Sequence, residues 1–309
     1  MAEALNLADD ARPGKREHAQ ALLDHLEREA PFPGAARVGL TGAPGAGKST
    51  LLDALVRWLR ARGETVGVVA VDPSSRETGG ALLGDRIRVR SAGHDAGVFV
   101  RSMAARERLG GLADATRAGV AILAAVFEHV FVETVGVGQS EVEVATLADT
   151  LVYVANPGTG DVLQFMKAGL LELPDLFVVN KADQGPAAER SARELEGGLA
   201  LGTRGDSSWT PAVILASARD GTGIPALIAV LDAHRAHLGA SGGLRARRER
   251  GRESHVVEAL ERRDGSFGLA RIGGREVVRA RVREHRGRSS FALAAELGRE
   301  VEDALRKGA

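Results

Sequence analysis

The stretch Gly42-Ala43-Pro44-Gly45-Ala46-Gly47-Lys48-Ser49 decides the fold. It fits the pattern G-x-x-x-x-G-K-[ST] and stands where that pattern has physical meaning, after the short apolar run Val38 to Leu40 and before a helical stretch from Thr50 to Arg62. Glycines let successive backbone N–H groups turn inward around phosphate oxygens. Lys48 neutralises the outer phosphates, and the Ser49 hydroxyl is a ligand for Mg2+. Gly42, Pro44, Gly45, Ala46, Gly47, Lys48, Ser49 and Thr50 form the expected phosphate-binding set, with Lys48 also catalytic.

Outward from this loop, short β-rich runs alternate with longer helical stretches: Thr65 to Val71, Val130 to Glu133, Leu151 to Ala155, Leu176 to Val179 and Ala212 to Leu215. Each is apolar without alternation, as strands buried on both faces are. The fold class expected is therefore α/β, a doubly wound, mostly parallel sheet. Ligands on such a sheet sit at the carboxyl ends of the strands.

At one of those ends stands Asn180-Lys181-Ala182-Asp183. A carboxylate at Asp183 accepts from both the ring N–H and the exocyclic amine of guanine, whereas adenine presents a lone pair there and leaves it unpaired. Asn180 is expected to tie this loop to the phosphate loop, and the Lys181 stem to cover the purine. Ser217-Ala218, after the Ala212 to Leu215 run, supplies the backbone contact near the guanine carbonyl.

Three carboxylates close the set: Asp72 in Val71-Asp72-Pro73-Ser74-Ser75, Asp85 after Gly84, and Glu133 in Glu133-Thr134-Val135-Gly136. An acid at a strand end three residues before a glycine is a GTPase switch arrangement, in which the acid reaches the metal and the Gly136 N–H senses the γ-phosphate. Ser49, Asp72, Asp85 and Glu133 are the expected metal residues, since Mg2+ prefers oxygen ligands. No glutamine follows Gly136 directly. Gln139 is a candidate to orient water, and Arg76 and Arg101 stand in candidate loops. Slow intrinsic GTP hydrolysis, accelerated by a partner, is the expectation.

The composition agrees with a folded enzyme. The chain has 309 residues, 44% of them hydrophobic, no net formal charge and no cysteine, so disulfides and thiolate metal sites are excluded and no nucleic-acid partner is indicated. No apolar run is long enough to span a bilayer, so no membrane role is expected and a cytoplasmic place is. Only five lysines occur, Lys48, Lys167 and Lys181 among them. Residues 1–35 read as a helical extension ended by Pro31 and Pro33, residues 36–238 as the nucleotide domain, and residues 239–309 as an arm beyond a flexible break at Gly239 to Gly243. In the arm, a stretch with Val256, Val257 and Leu260 reads as a helix, Phe267 to Val282 as two short strands, and Phe291 to Leu305 as an amphipathic helix. Arg245, Arg247, Arg248, Arg250 and Arg252 form a candidate contact surface or a solvated helix face. His234 and His237 read as solvated.

With these motifs assembled, the chain resembles the MeaB/ArgK family of methylmalonyl-CoA mutase-associated GTPases, a branch of the metallochaperone-like P-loop GTPases. The resemblance rests on Leu5 to Pro13, the phosphate loop, Ala70 to Ser75, Gly79 to Asp85, Glu133 to Glu141, Gly160-Asp161 through Gln164 and Lys167, and Asn180 to Asp183. It implies a homodimer to which the arm contributes. It also implies a GTP-dependent chaperone that protects, or gates cofactor loading of, an adenosylcobalamin-dependent acyl-CoA mutase. By position it makes Asp72, Asp85 and Glu133 magnesium-associated and places Gln164 and Lys167 in a segment that responds to the partner, with Glu133 and Lys167 counted, like Lys48, among the catalytic residues. Val162, Phe165, Met166 and Ala168 depart from the residues many relatives carry. Metal insertion and a transport-linked kinase or regulator are the competing readings. The first calls for Cys/His clusters and the second for a base at an acceptor hydroxyl.

Overall fold

The computed structural model describes residues 1–10, 12–29, 34–73, 95–105, 114–134, 139–158, 172–201 and 208–307. Among these residues seven strands form one sheet: β1 (Ala36–Thr41), β2 (Val66–Pro73), β3 (Val98–Ala105), β4 (His129–Glu133), β5 (Thr150–Ala155), β6 (Leu176–Val179) and β7 (Ala212–Leu215). Their order is β3-β2-β4-β1-β5-β6-β7, and every pairing is parallel. The central β1 lies between β4 and β5, so the chain reverses direction across the sheet there, and the carboxyl ends of these strands form the ligand-binding edge.

Both faces of the sheet are covered. Val38, Leu40, Phe131, Val152 and Val154 turn to one layer, built from α3 (Lys48–Ala61) and α7 (Ile224–Ser241). Within α3, Leu51, Leu52, Leu55, Val56 and Leu59 recur at helical spacing and are buried. Val69, Val71, Val130, Val132 and Leu151 turn to the other face, against α4 (Asp114–Ala124) and α5 (Gln139–Leu147). Leu5 of α1 (Ala2–Asp9) and Leu23 of α2 (Pro13–Glu29) join that second core, so the N-terminal helices are packed onto the sheet's helical layer. The last helix of the layers, α6 (Pro186–Leu201), covers Tyr153, Phe177 and Val179.

Three helices follow: α8 (Gly243–Arg271), α9 (Gly274–Glu284) and α10 (Ser290–Lys307). They enclose a separate apolar core containing Val256, Val257, Leu260, Val278, Val282 and Leu297. The structure corrects the sequence reading at several points. Phe267 to Val282 is the end of α8 and most of α9, not a pair of strands. The expected break is helical through Ser241 and turns into α8 at the single left-handed residue Gly242. Arg101 lies on β3 rather than in a loop.

Of the arginines expected on a contact surface or solvated face, Arg247, Arg248 and Arg252 turn inward on α8, while Arg245 and Arg250 are exposed. Arg247 holds the Asp175 carboxylate with two hydrogen bonds, at 2.7 and 2.6 Å, and Arg248 holds Asp149 at 2.8 and 2.7 Å. These aspartates stand immediately before β6 and β5, so α8 is clamped to the edge of the sheet opposite the phosphate loop. Arg252 reaches Glu27 of α2, whose carboxylate also accepts the Ser290 N–H at 2.7 Å and the Ser290 hydroxyl at 2.8 Å. Asp24 accepts the Ser289 N–H. Two acids of the second helix thereby satisfy the open N–H groups at the start of the last one.

His234 is fully buried on α7, not solvated. Its Nδ1 lies 2.8 Å from the Thr150 hydroxyl and its ring packs on Trp209. Burial pushes its pKa down to about 4 against the nearby Asp175 charge, so the ring is neutral near pH 7.

Candidate nucleotide site

The site is assembled from the ends of four strands. After β1 the chain enters Gly42 at φ 139°, where a side chain would overlap the Val154 carbonyl oxygen of β5; only glycine lets the loop lie this close to its neighbour. The loop ends at Gly47, whose left-handed φ of 87° starts α3. The first turn of α3 therefore presents its open N–H groups, with their partial positive charge, toward the loop.

Lys48 is buried at 7% exposure, and its Nζ donates to the Gly42 and Ala43 carbonyls at 2.7 and 3.1 Å. The ammonium is thus held inside the loop. Ser49, the next residue, donates its hydroxyl to Glu133 Oε1 at 2.5 Å. Glu133 ends β4, which pairs with β1 in register Leu40 to Glu133, so the ladder sets the position of this carboxylate beside the loop. Thr134 continues that ladder with an N–H bond to the Leu40 carbonyl at 3.1 Å. A hydroxyl and a carboxylate converging on one point are the donor types a hard divalent cation takes.

The other side of the site follows β6. Asn180 donates from Nδ2 to the carbonyls of Ala46 and Gly47 at 2.9 and 3.3 Å and accepts the Ala218 N–H at 3.3 Å. One side chain therefore joins the phosphate loop, the β6 end and the β7 end. Lys181 adopts a left-handed backbone at φ 58°, and its Nζ donates to the Gly45 carbonyl at 2.8 Å. Asp183 lies in the turn that follows, where the buried Ser217 hydroxyl donates to its Oδ1 at 3.0 Å. The sequence reading had given Ser217 only a backbone role; its hydroxyl as a partner of Asp183 depends on the fold of the 216–223 turn, which the dipeptide does not announce. Arg219 approaches Asp183 at 3.8 Å on an exposed side chain.

The expected residues Gly42, Pro44, Gly45, Ala46, Gly47, Lys48, Ser49, Thr50, Glu133, Asn180, Lys181, Asp183, Ser217 and Ala218 thus share one edge of the sheet. Asp72 lies on β2, with its side chain outside the described residues, and Asp85, Gly136, Gln164 and Lys167 also lie outside them. Gln139 is the first residue of α5. Among the described residues no group of three His, Cys, Asp or Glu side chains forms a metal cluster, and no helix is long and apolar enough to cross a membrane.

A parallel sheet with a phosphate loop between its central strand and the next helix, and an Asn-Lys-x-Asp turn bound to that loop, defines a P-loop GTPase. Comparison with known proteins gives the family. The family model described as methylmalonyl Co-A mutase-associated GTPase MeaB matches residues 1–264, and the chain belongs to that family. It is 48% identical over 224 residues to a Pyrococcus abyssi protein named for GTPase activity, spanning 71% of this chain and 68% of that one. To the mitochondrial methylmalonic aciduria type A homolog of Mus musculus it is 37% identical over 260 residues, 81% of this chain and 63% of the other. GTPase ArgK of Escherichia coli is 38% identical over 253 residues, 81% of this chain and 76% of that one. Among solved structures, one titled LAO/AO transport system kinase superposes with a TM-score of 0.67 at 27% identity, covering 96% of this chain and 91% of the other. HypB from Helicobacter pylori, solved with nickel, superposes at 0.51 with 16% identity over 72% of this chain and 96% of its own, a likeness of fold alone. The chain is a GTPase by family and by fold.

Proposed function

We propose that this GTPase is a chaperone that protects, or gates cofactor loading of, an adenosylcobalamin-dependent acyl-CoA mutase, with methylmalonyl-CoA mutase as the first candidate. The observation that carries this reading is the match to a mutase-associated family along residues 1–264, supported by the likeness to the methylmalonic aciduria homolog. Residues 239–309 serve in this reading as the arm of a homodimer.

In the reaction, the Asn180, Lys181 and Asp183 turn binds guanine and sets the nucleotide's register on the loop. The loop amides and Lys48 bind the phosphates and offset the charge that gathers on the β–γ bridge as the γ-phosphoryl group transfers to water. Ser49 and Glu133 would hold Mg2+, with Asp72 and Asp85 as the further acids; a bound ion would supply charge neutralisation at the phosphates. Glu133 also fixes the end of β4, from which the Gly136 segment leads.

The test is steady-state GTP hydrolysis, with ATP as the control, alone and with purified methylmalonyl-CoA mutase titrated in. GTP-selective turnover that rises and saturates with mutase is the expected result. Unaccelerated hydrolysis, together with no capture of the mutase, overturns the chaperone reading and leaves the GTPase standing. The structural likeness to the LAO/AO transport system kinase favours a second reading, transfer of the γ-phosphoryl group to a protein acceptor, and labelled γ-phosphate appearing on protein would select it.

A further inference from the structure

Helix α5 leaves the nucleotide edge within a few residues of Glu133 and runs back toward the amino edge of the sheet, where Asp149 leads into β5. Near its end it crosses α8 in an unusual way. Gly251 of α8 is buried, and a Cβ built on it would fall well inside contact distance of the Thr146 carbonyl oxygen, so the two helices meet backbone to backbone. Arg117 of α4 closes the crossing by donating from Nη2 to the Thr146 hydroxyl at 3.0 Å, and that hydroxyl donates to the Glu143 carbonyl at 2.8 Å.

The remainder of this junction is ionic. Arg262 of α8 pairs with Asp114 of α4, and His255 Nε2 lies 3.3 Å from the same carboxylate. A cavity of about 10 Å3, the size of a single water, lies among Arg117, Thr146 and Glu258. On its far side α8 presents Val256, Val257 and Leu260 to the apolar core it shares with α9 and α10. A helix with one interdigitated apolar face and one polar face over a void moves with the apolar side and slides at the polar one, which is the arrangement of a shear contact. The Arg247 and Arg248 clamps hold the amino end of α8 to the sheet, so displacement grows with distance beyond Gly251.

We propose that the crossing of α5 and α8 at Thr146 and Gly251 is the joint through which the nucleotide state displaces the C-terminal helices. The proposal rests on the nucleotide-site reading, because α5 begins six residues after Glu133. The energy involved is that of one two-state contact, which corresponds to about a 5-fold or larger change in the equilibrium of the helices it biases.

The experiment is hydrogen–deuterium exchange on the full chain with GDP and with a non-hydrolysable GTP analogue, alongside fluorescence titration of both nucleotides. In the wild-type chain, amide exchange in residues 251–262 and 290–301 is expected to differ between the two states. Gly251→Ala pushes the helices apart and should abolish that difference, with the preference for one nucleotide over the other shifted only by the factor the joint itself supplies; Arg117→Met, which leaves the backbones free to touch, gives the same readout should the glycine variant fail to fold. Identical arm exchange in both bound states, or a difference that survives in a folded variant, overturns the joint. Failure of either nucleotide to bind overturns the site reading and the joint with it.

Discussion

The Ser49 hydroxyl donates to the Glu133 carboxylate at 2.5 Å, joining the first turn of α3 to the end of β4. These are the two groups expected to share a divalent cation, and their separation is set by the β1–β4 ladder rather than by a flexible loop. Glu133→Gln keeps the shape and a hydrogen-bond partner but removes the charge. The expected result is a fall in kcat of about 100-fold with a much smaller change in nucleotide affinity. Steady-state kinetics at several magnesium concentrations checks it, and a purely structural Glu133 would leave kcat intact in the folded variant.

Asp183 governs the choice of base, and Ser217 holds it. Asp183→Asn exchanges an acceptor for an amide donor, so guanine loses both charge-assisted bonds and GTP affinity falls by at least about 100-fold. Xanthosine triphosphate, with a carbonyl where guanine has its amine, gains the partner that GTP loses. Ser217→Ala removes one bond to the carboxylate and costs about 1 kcal/mol of GTP binding. Competition titrations with GTP, ATP and xanthosine triphosphate decide the matter; unchanged base preference in the Asn variant would sink the assignment.

Glu27 caps α10 from α2. Glu27→Ala strips the Ser290 N–H and hydroxyl of their carboxylate acceptor and leaves Arg252 without its ionic partner, so unfolding free energy should fall by about 2–3 kcal/mol. Glu27→Gln should recover part of this loss. Urea denaturation reads the effect, and nucleotide affinity should not move, because Glu27 is remote from the site.

Acid should weaken the fold well above the usual carboxylate range. Buried His234 titrates at about 4, against an ordinary value near 6.5, so the unfolded chain takes up a proton that the folded chain refuses. Its contribution is fully present above pH 6.5, falls between 6.5 and 4, and totals about 3 kcal/mol. Burial also lowers the pKa of His255, which adds a loss of the same sign. Denaturant titrations from pH 7.5 to 4.5 should show this decline, and His234→Gln should flatten it. Equal slopes in the two proteins would refute the role given to His234.

The strands buried on both sides were legible in sequence because burial leaves unbroken apolar runs: Val38 to Leu40, Val130 to Glu133 and Leu151 to Ala155 could be nothing else beside a phosphate loop. β3 was not. Among the described residues it pairs only with β2, at the sheet edge, and after Val98-Phe99-Val100 it turns to Arg101 and Ser102, which breaks the run. In the arm, the β-branched Val277, Val278 and Val282 suggested strands. Val278 and Val282 instead stand four apart on α9 and fill the core against α8, so packing decided the conformation over local preference. His234 could have been found: it falls three residues after Leu231 and four before Leu238, on the buried stripe of α7. In the site, the loop and the guanine turn were readable because each is a short motif of fixed spacing, even though Asn180 and Lys181 bond to loop carbonyls far away in sequence. The Ser217 to Asp183 bond and the inward use of Arg247, Arg248 and Arg252 were not, since their partners come from distant stretches of chain.

The bond between Glu27 and Ser290 spans 263 residues of sequence. At a synthesis rate of roughly 5–20 residues per second, the ribosome makes the second helix on the order of 10–50 s before the residue it must cap. By the end of that interval the nucleotide loops and the strands have emerged, while α2 waits with Asp24 and Glu27 unspent. The order of birth therefore runs from α2 through the nucleotide domain to α10, and the clasp between α2 and α10 closes last.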